Sequence, residues 1–244
     1  MTDLWYDEAG AGAPVVLLHQ GVVDARIWEP LVPLLAEHYR VIRYDQCGYG
    51  RSPMWTDPYS PIHDLLAVMD AAGAAEAALV GASRGGRIAL QAALAAPDRV
   101  SALVLVGSGV SGRPLQIEAT PEQERRWEEV EARGDVGGMA EIDLEIWAPL
   151  GADDELLAMF VENAEASNAE DPAVEEPAAG RLREISAPTL VVTGARDVAA
   201  INELGDVLAR EISDARSAVI DQADHMVQWR APQELSHLIV SFLG

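Results

Sequence analysis

Apolar residues fall in two spacings along this chain, and the two alternate. Short runs that are apolar almost throughout occupy residues 13–19 (APVVLLH), 39–44 (YRVIRY), 76–80 (EAALV) and 100–106 (VSALVLV). Between them, apolar positions recur every three or four residues, over 28–37, 61–72 and 85–96, the last closed by Pro97. The first spacing predicts strands buried on both faces and the second predicts amphipathic helices. Strands of that kind with helices between them predict an α/β fold: a mostly parallel sheet flanked by helices.

The alternation stops after residue 112. Residues 112–184 contain no strand pattern, are acidic, and carry helical spacing over 122–133, 139–147 and 154–166. It resumes after Pro188 with a strand (TLVVTG), a helix over 201–212, a strand over 216–220 (RSAVI) and a closing helix over 232–243. The organisation expected is one sheet domain, 1–112 and 185–244, interrupted by a helical insertion, 113–184. Residues 169–180 (AEDPAVEEPAAG), rich in proline, alanine and acid, are expected to be flexible.

Composition narrows the partners. A net charge of −23 disfavours nucleic acid and anionic membranes, both of which would be repelled. No apolar run approaches the roughly 18–20 residues of a membrane span, and the first ten residues lack the basic-then-apolar order of a signal peptide. A single cysteine, Cys47, excludes an internal disulfide and fits a reducing cytoplasm, the expected location. Lysine is absent. That removes Schiff-base chemistry, the P-loop lysine and the lysine on which short-chain dehydrogenases depend. Residues 107–112 read GSGVSG, a literal G-x-G-x-x-G after a strand, but Arg113-Pro114 follows where a dinucleotide fold requires a helix. The loop is read as an exit from the sheet.

The candidate chemistry starts at residues 79–90, LVGASRGGRIAL. Gly81 and Gly85 flank Ser83 two positions away on either side, where a buried strand turns into a helix. Such a turn crowds its central residue, and glycines give the chain room to cross itself. A serine nucleophile also needs a histidine base and an acid that orients it. His38 and His63 fall on helices in surface patterns, His237 lies in the last helix where nothing around it suggests chemistry, and His19 is read as structural. His225 sits in a loop after the last strand, at the end of the sheet where ligands bind. Asp197 follows the strand TLVVTG and is preferred as the acid; Asp221 is the better rival, since Asp224 would have to fold back onto its own neighbour. The oxyanion donors expected are the N–H of Arg84 and a second from the loop HQGVVD, either Gly21 or Val22.

The motifs LLHQG (17–21), RYDQCGYGRS (43–52), GASRGG (81–86), PTLVVTGARD (188–197) and DHMVQWRAPQEL (224–235) resemble the α/β-hydrolase fold superfamily. Within it they are similar to the small capped bacterial hydrolases of the 3-oxoadipate enol-lactonase-like group. The likeness covers nearly the whole chain except the insertion, which falls where this superfamily places its cap. It implies Ser83, Asp197 and His225 as a catalytic triad with no cofactor and no metal. Three departures stand out: Gln20 intervenes in the usual His-Gly-x loop, Cys47 replaces an arginine, and Asp224 replaces the glycine before the histidine. Cys47 is read as a packing residue. The resemblance also implies a first strand that the chain begins too late to hold.

A serine at the elbow argues against the dehalogenase and epoxide-hydrolase branches, which use aspartate there. It favours an esterase or lactonase acting on small carboxylic esters through an acyl-enzyme. C–C bond hydrolysis is the alternative within the fold, and a ligand-binding or signalling protein with weak turnover is the alternative outside catalysis. Trp127, Met139, Trp147, Met159 and Phe160 of the insertion either line the pocket or pack among themselves. Arg84 and Arg87 either bind a substrate carboxylate or form salt bridges to an acidic cap.

Overall fold

The alternating runs assemble as expected. The computed structural model describes residues 3–117 and 119–244. Among them is a sheet of seven strands in the order β1-β3-β2-β4-β5-β6-β7. These are β1 (Tyr6–Gly10), β2 (Pro14–Leu18), β3 (Arg40–Tyr44), β4 (Ala77–Ala82), β5 (Val100–Val106), β6 (Thr189–Gly194) and β7 (Ala215–Ile220). Only the edge strand β1, which the apolar pattern does not predict, runs antiparallel, pairing with β3. Its residues are half-buried or exposed, so no continuous apolar run marks it. The central strand β4 is buried along its whole length.

Alternation along each strand sorts the core into two layers. Leu18, Ile42, Leu79, Leu103 and Val191 face α2 (Pro61–Ala71), α3 (Arg84–Ala95) and α7 (Ala199–Glu211). Leu17, Val41, Val80, Val104 and Val192 face α1 (Val32–Leu35), the short α8 (Val227–Arg230) and the closing α9 (Pro232–Leu243). The helix expected over 28–37 is cut to a 3₁₀ turn, Ala25–Trp28, and the single turn of α1. Pro30 and Pro33 account for this, since neither offers a backbone N–H to a helix passing through it.

Between β5 and β6 stand α4 (Pro121–Arg133), α5 (Val136–Trp147) and α6 (Asp154–Asn168). Met159 and Phe160 of α6 are buried in the second core layer, so they attach the insertion to the sheet rather than face a cavity. Residues 169–180, expected to be flexible, hold no helix or strand but are tied down. Ala173 bridges Tyr59, the Ser111 hydroxyl donates to the Glu176 carbonyl at 2.9 Å, and the Ala178 N–H donates back to Ser111 Oγ at 2.9 Å. No described helix is long and apolar enough to cross a membrane.

Candidate active site

Everything at the site hangs on one sharp bend. β4 ends at Ala82 and α3 starts at Arg84, leaving Ser83 alone between them with φ 50° and ψ −110°. Among the described residues it is the only non-glycine with positive φ. Such a conformation costs on the order of 1–3 kcal/mol and persists only where the surroundings enforce it. Here they do. A Cβ at Gly81 would lie 2.5 Å from the Gly85 carbonyl oxygen, and one at Gly85 would lie 2.1 Å from that of Leu18. The two glycines therefore let α3 start directly against the sheet. The Arg84 N–H opens that helix, where no helical carbonyl is available to it.

His225 and Asp197 come from the loops after β7 and β6. Asp197 Oδ2 stands 2.8 Å from His225 Nδ1, and both residues are buried. Gly194 makes the meeting possible: a Cβ there would strike the Ala223 carbonyl oxygen at 2.4 Å, so the two loops pass in contact only without one. Across that contact the Arg196 N–H donates to the Ala223 carbonyl at 2.9 Å. With Nδ1 engaged, Nε2 is the imidazole nitrogen left for chemistry. The rivals of Asp197 are elsewhere. Asp221 is exposed, and Asp224 is buried against Arg230 at 2.9 Å.

Ser83, His225, Gly21, Val22, Arg84, Arg87 and Trp147 all border one cavity of about 650 Å³. Gly21 lies against the Arg84 side chain, its Cβ position 3.3 Å from Arg84 Cδ, which brings the two expected donor segments together. Trp147 packs on the His225 ring with centroids 4.6 Å apart. His19 holds the donor loop from behind: its Nδ1–H donates to the Gln20 carbonyl at 2.6 Å, and its Nε2 accepts from the Gln46 N–H at 2.9 Å. Burial lowers its pKa and suits that neutral tautomer. Gln20, the departure in this loop, donates through Nε2 to the His225 carbonyl at 3.2 Å and so ties the two sides of the site.

Several residues with two open readings are placed by their contacts. Trp127 does not reach the cavity; it packs beside Val130, Met139 and Ile142 within the insertion, because α4 turns that face toward α5. Met139, Met159 and Phe160 are likewise packing residues. Arg84 is already occupied. It pairs with Asp171 of the insertion, donates through Nε to Gln46 Oε1 at 2.8 Å, and donates through Nη2 to the Tyr59 hydroxyl at 2.7 Å. Burial opposes its charge, but Tyr49, Tyr59 and Asp171 outweigh that and raise its pKa above that of an ordinary arginine. Arg87 pairs with Glu175 at 3.1 Å. Both arginines thus take the salt-bridge alternative. Cys47, its thiol pushed up to about 11 by burial and then by Asp64 and Asp171, is protonated at neutral pH and unsuited to attack.

Sequence reading missed Asp143, on α5 one turn before Trp147. It borders the cavity, and its carboxyl has hydrogen bonds from the Asn168, Ser167 and Trp147 side chains. Burial outweighs those bonds and holds its pKa up at about 6. Because this folded value exceeds the ordinary 3.8, folding favours the protonated form. The carboxylate then weakens the fold as pH rises from about 4 through about 6, and the cost persists above that. Asp143→Asn should therefore gain stability relative to wild type between pH 4 and pH 8, by on the order of 1–2 kcal/mol after solvent screening. Urea unfolding at the two pH values checks it. An equal difference at both would mean that the carboxyl has an ordinary pKa.

A mostly parallel sheet, a strained serine between strand and helix, and a histidine–aspartate pair at the neighbouring strand ends define the α/β-hydrolase class. The family model for the alpha/beta hydrolase fold matches residues 13–145. The chain belongs to that family. A 2-hydroxy-6-oxo-6-phenylhexa-2,4-dienoate hydrolase of Comamonas testosteroni is 31% identical, over 98% of this chain and 90% of the relative. A pimeloyl-(acyl-carrier protein) methyl ester esterase of Methylococcus capsulatus is 30% identical, over 99% of this chain and 98% of the relative. Among solved structures, the enol-lactonase from Burkholderia xenovorans LB400 superposes with a TM-score of 0.80 at 26% identity, over 98% of this chain and 96% of that one.

Proposed function

We propose that this hydrolase cleaves small carboxylic esters or lactones, without a cofactor, through Ser83, His225 and Asp197. The observation that carries the reading is the buried Asp197–His225 pair opening onto the same cavity as the elbow serine. His225 Nε2 takes the Ser83 hydroxyl proton as Oγ attacks the ester carbonyl. The oxyanion forms against the Arg84 N–H and that of Gly21 or Val22. Collapse breaks the carbonyl–oxygen bond, and the leaving alcohol carries away the proton from His225. Water, deprotonated by the same nitrogen, then attacks the acyl-enzyme and frees Ser83. Asp197 holds the imidazole in the tautomer that leaves Nε2 free to accept, and it balances the imidazolium charge.

The Comamonas relative supports C–C hydrolysis as the second reading, because a dienoate of that kind contains no ester. The same serine and histidine could serve it. Side-by-side turnover of p-nitrophenyl butyrate, δ-valerolactone and 2-hydroxy-6-oxo-6-phenylhexa-2,4-dienoate separates the two. Ester or lactone kcat/KM on the order of 10⁴ M⁻¹s⁻¹, at least about a hundredfold above the dienoate, is expected. The reverse order would replace the ester reading by the C–C reading.

A further inference from the structure

Among the described residues, the charged side chains that border the cavity are matched, with one inward exception. Arg84 is matched by Asp171, Arg87 by Glu175, and His225 by Asp197. Asp143 has only the neutral donors Ser167, Asn168 and Trp147. It lies one helical turn, about 6 Å along the axis, from the tryptophan that covers the His225 ring. Glu175 adds no free charge to this wall: its Oε2 faces Arg87 at 3.1 Å, and its Oε1 is buried. A wall with one spare carboxyl, that of Asp143, and neutralised arginines lacks a cation, and a substrate can supply one. Arg113, at the exposed rim, forms no ion pair among the described residues and is the one cationic group that could favour the opposite charge.

We propose that Asp143 is a specificity-determining residue that selects substrates carrying a protonated amine, seated between the insertion and the elbow serine, over substrates carrying a carboxylate. This deepens the hydrolase reading and rests on it for the reaction, but charge selection can be read without turnover. Calorimetric titration with n-hexylammonium and with hexanoate, at pH 8, compares the two charges on one alkyl chain. Wild type should bind the ammonium about tenfold more tightly, and Asp143→Asn should bring the two within about twofold of each other. Asp143→Glu, which keeps the charge, should keep the order. Equal or tighter binding of hexanoate would overturn the proposal and point to Arg113. So would an ammonium preference that survives in Asp143→Asn, or no ammonium binding at all.

Turnover then tests the same selection in the reaction. In wild type, kcat/KM for p-nitrophenyl 6-aminohexanoate should exceed that for the uncharged heptanoate ester by about tenfold, and the ratio should fall to near one in Asp143→Asn. Charge-selective binding with no ester turned over would overturn the ester reading and leave the site intact. Ester turnover with no charge preference would overturn the inference alone.

Discussion

Asp197→Asn is expected to lower kcat toward activated esters by about 10³–10⁴-fold with little change in KM. The 2.8 Å contact to Nδ1 is what makes the loss so large. A neutral asparagine can donate to Nδ1, which turns the imidazole into the tautomer whose Nε2 carries the proton. Such a ring cannot accept from Ser83. It also removes the charge that balances the imidazolium, in a pocket where both partners are buried and water cannot substitute. The Val198 N–H, which Asp197 Oδ1 accepts at 2.8 Å, can be served by the asparagine oxygen, so the loop should hold. Steady-state kinetics with matched thermal unfolding checks this. A drop of tenfold or less in a folded variant would mean that His225 does not depend on Asp197.

Ser83→Ala should cost more, on the order of 10⁴–10⁶-fold in kcat, since it removes the hydroxyl at the elbow that makes the attack. The nearest thiol, Cys47, is held protonated. The rate left should still exceed the background reaction, because backbone donors at the start of α3 and after β2 are untouched by the change. Alanine shares the serine's difficulty with a positive φ, so the elbow keeps its strain and stability should move little. Unchanged turnover would remove Ser83 from the mechanism.

What was legible in the sequence follows from how a parallel sheet collects its strand ends. Glycines at 81 and 85 mark the elbow because no other residue fits the crossing. Asp197 and His225 follow strands that must end on the same edge as β4, so their order along the chain already places them near Ser83. The insertion offered no such anchor. Its helices are acidic throughout, so Asp143 had no feature to separate it from the other carboxylates, and its position depends on which face of α5 turns inward. The choice for Trp127 between lining the pocket and packing stayed open for the same reason. The fate of Arg84 was also hidden, because its partner Asp171 lies 87 residues along the chain in a segment without regular structure.

The most direct test of a triad-activated serine is intact-mass labelling with a fluorophosphonate, on wild type and on Ser83→Ala. One adduct per wild-type chain, mapped to the peptide holding Ser83 and absent from the variant, is the predicted result. A folded wild type that stays unlabelled, or a variant that labels equally, would contradict the assignment of Ser83 as the nucleophile.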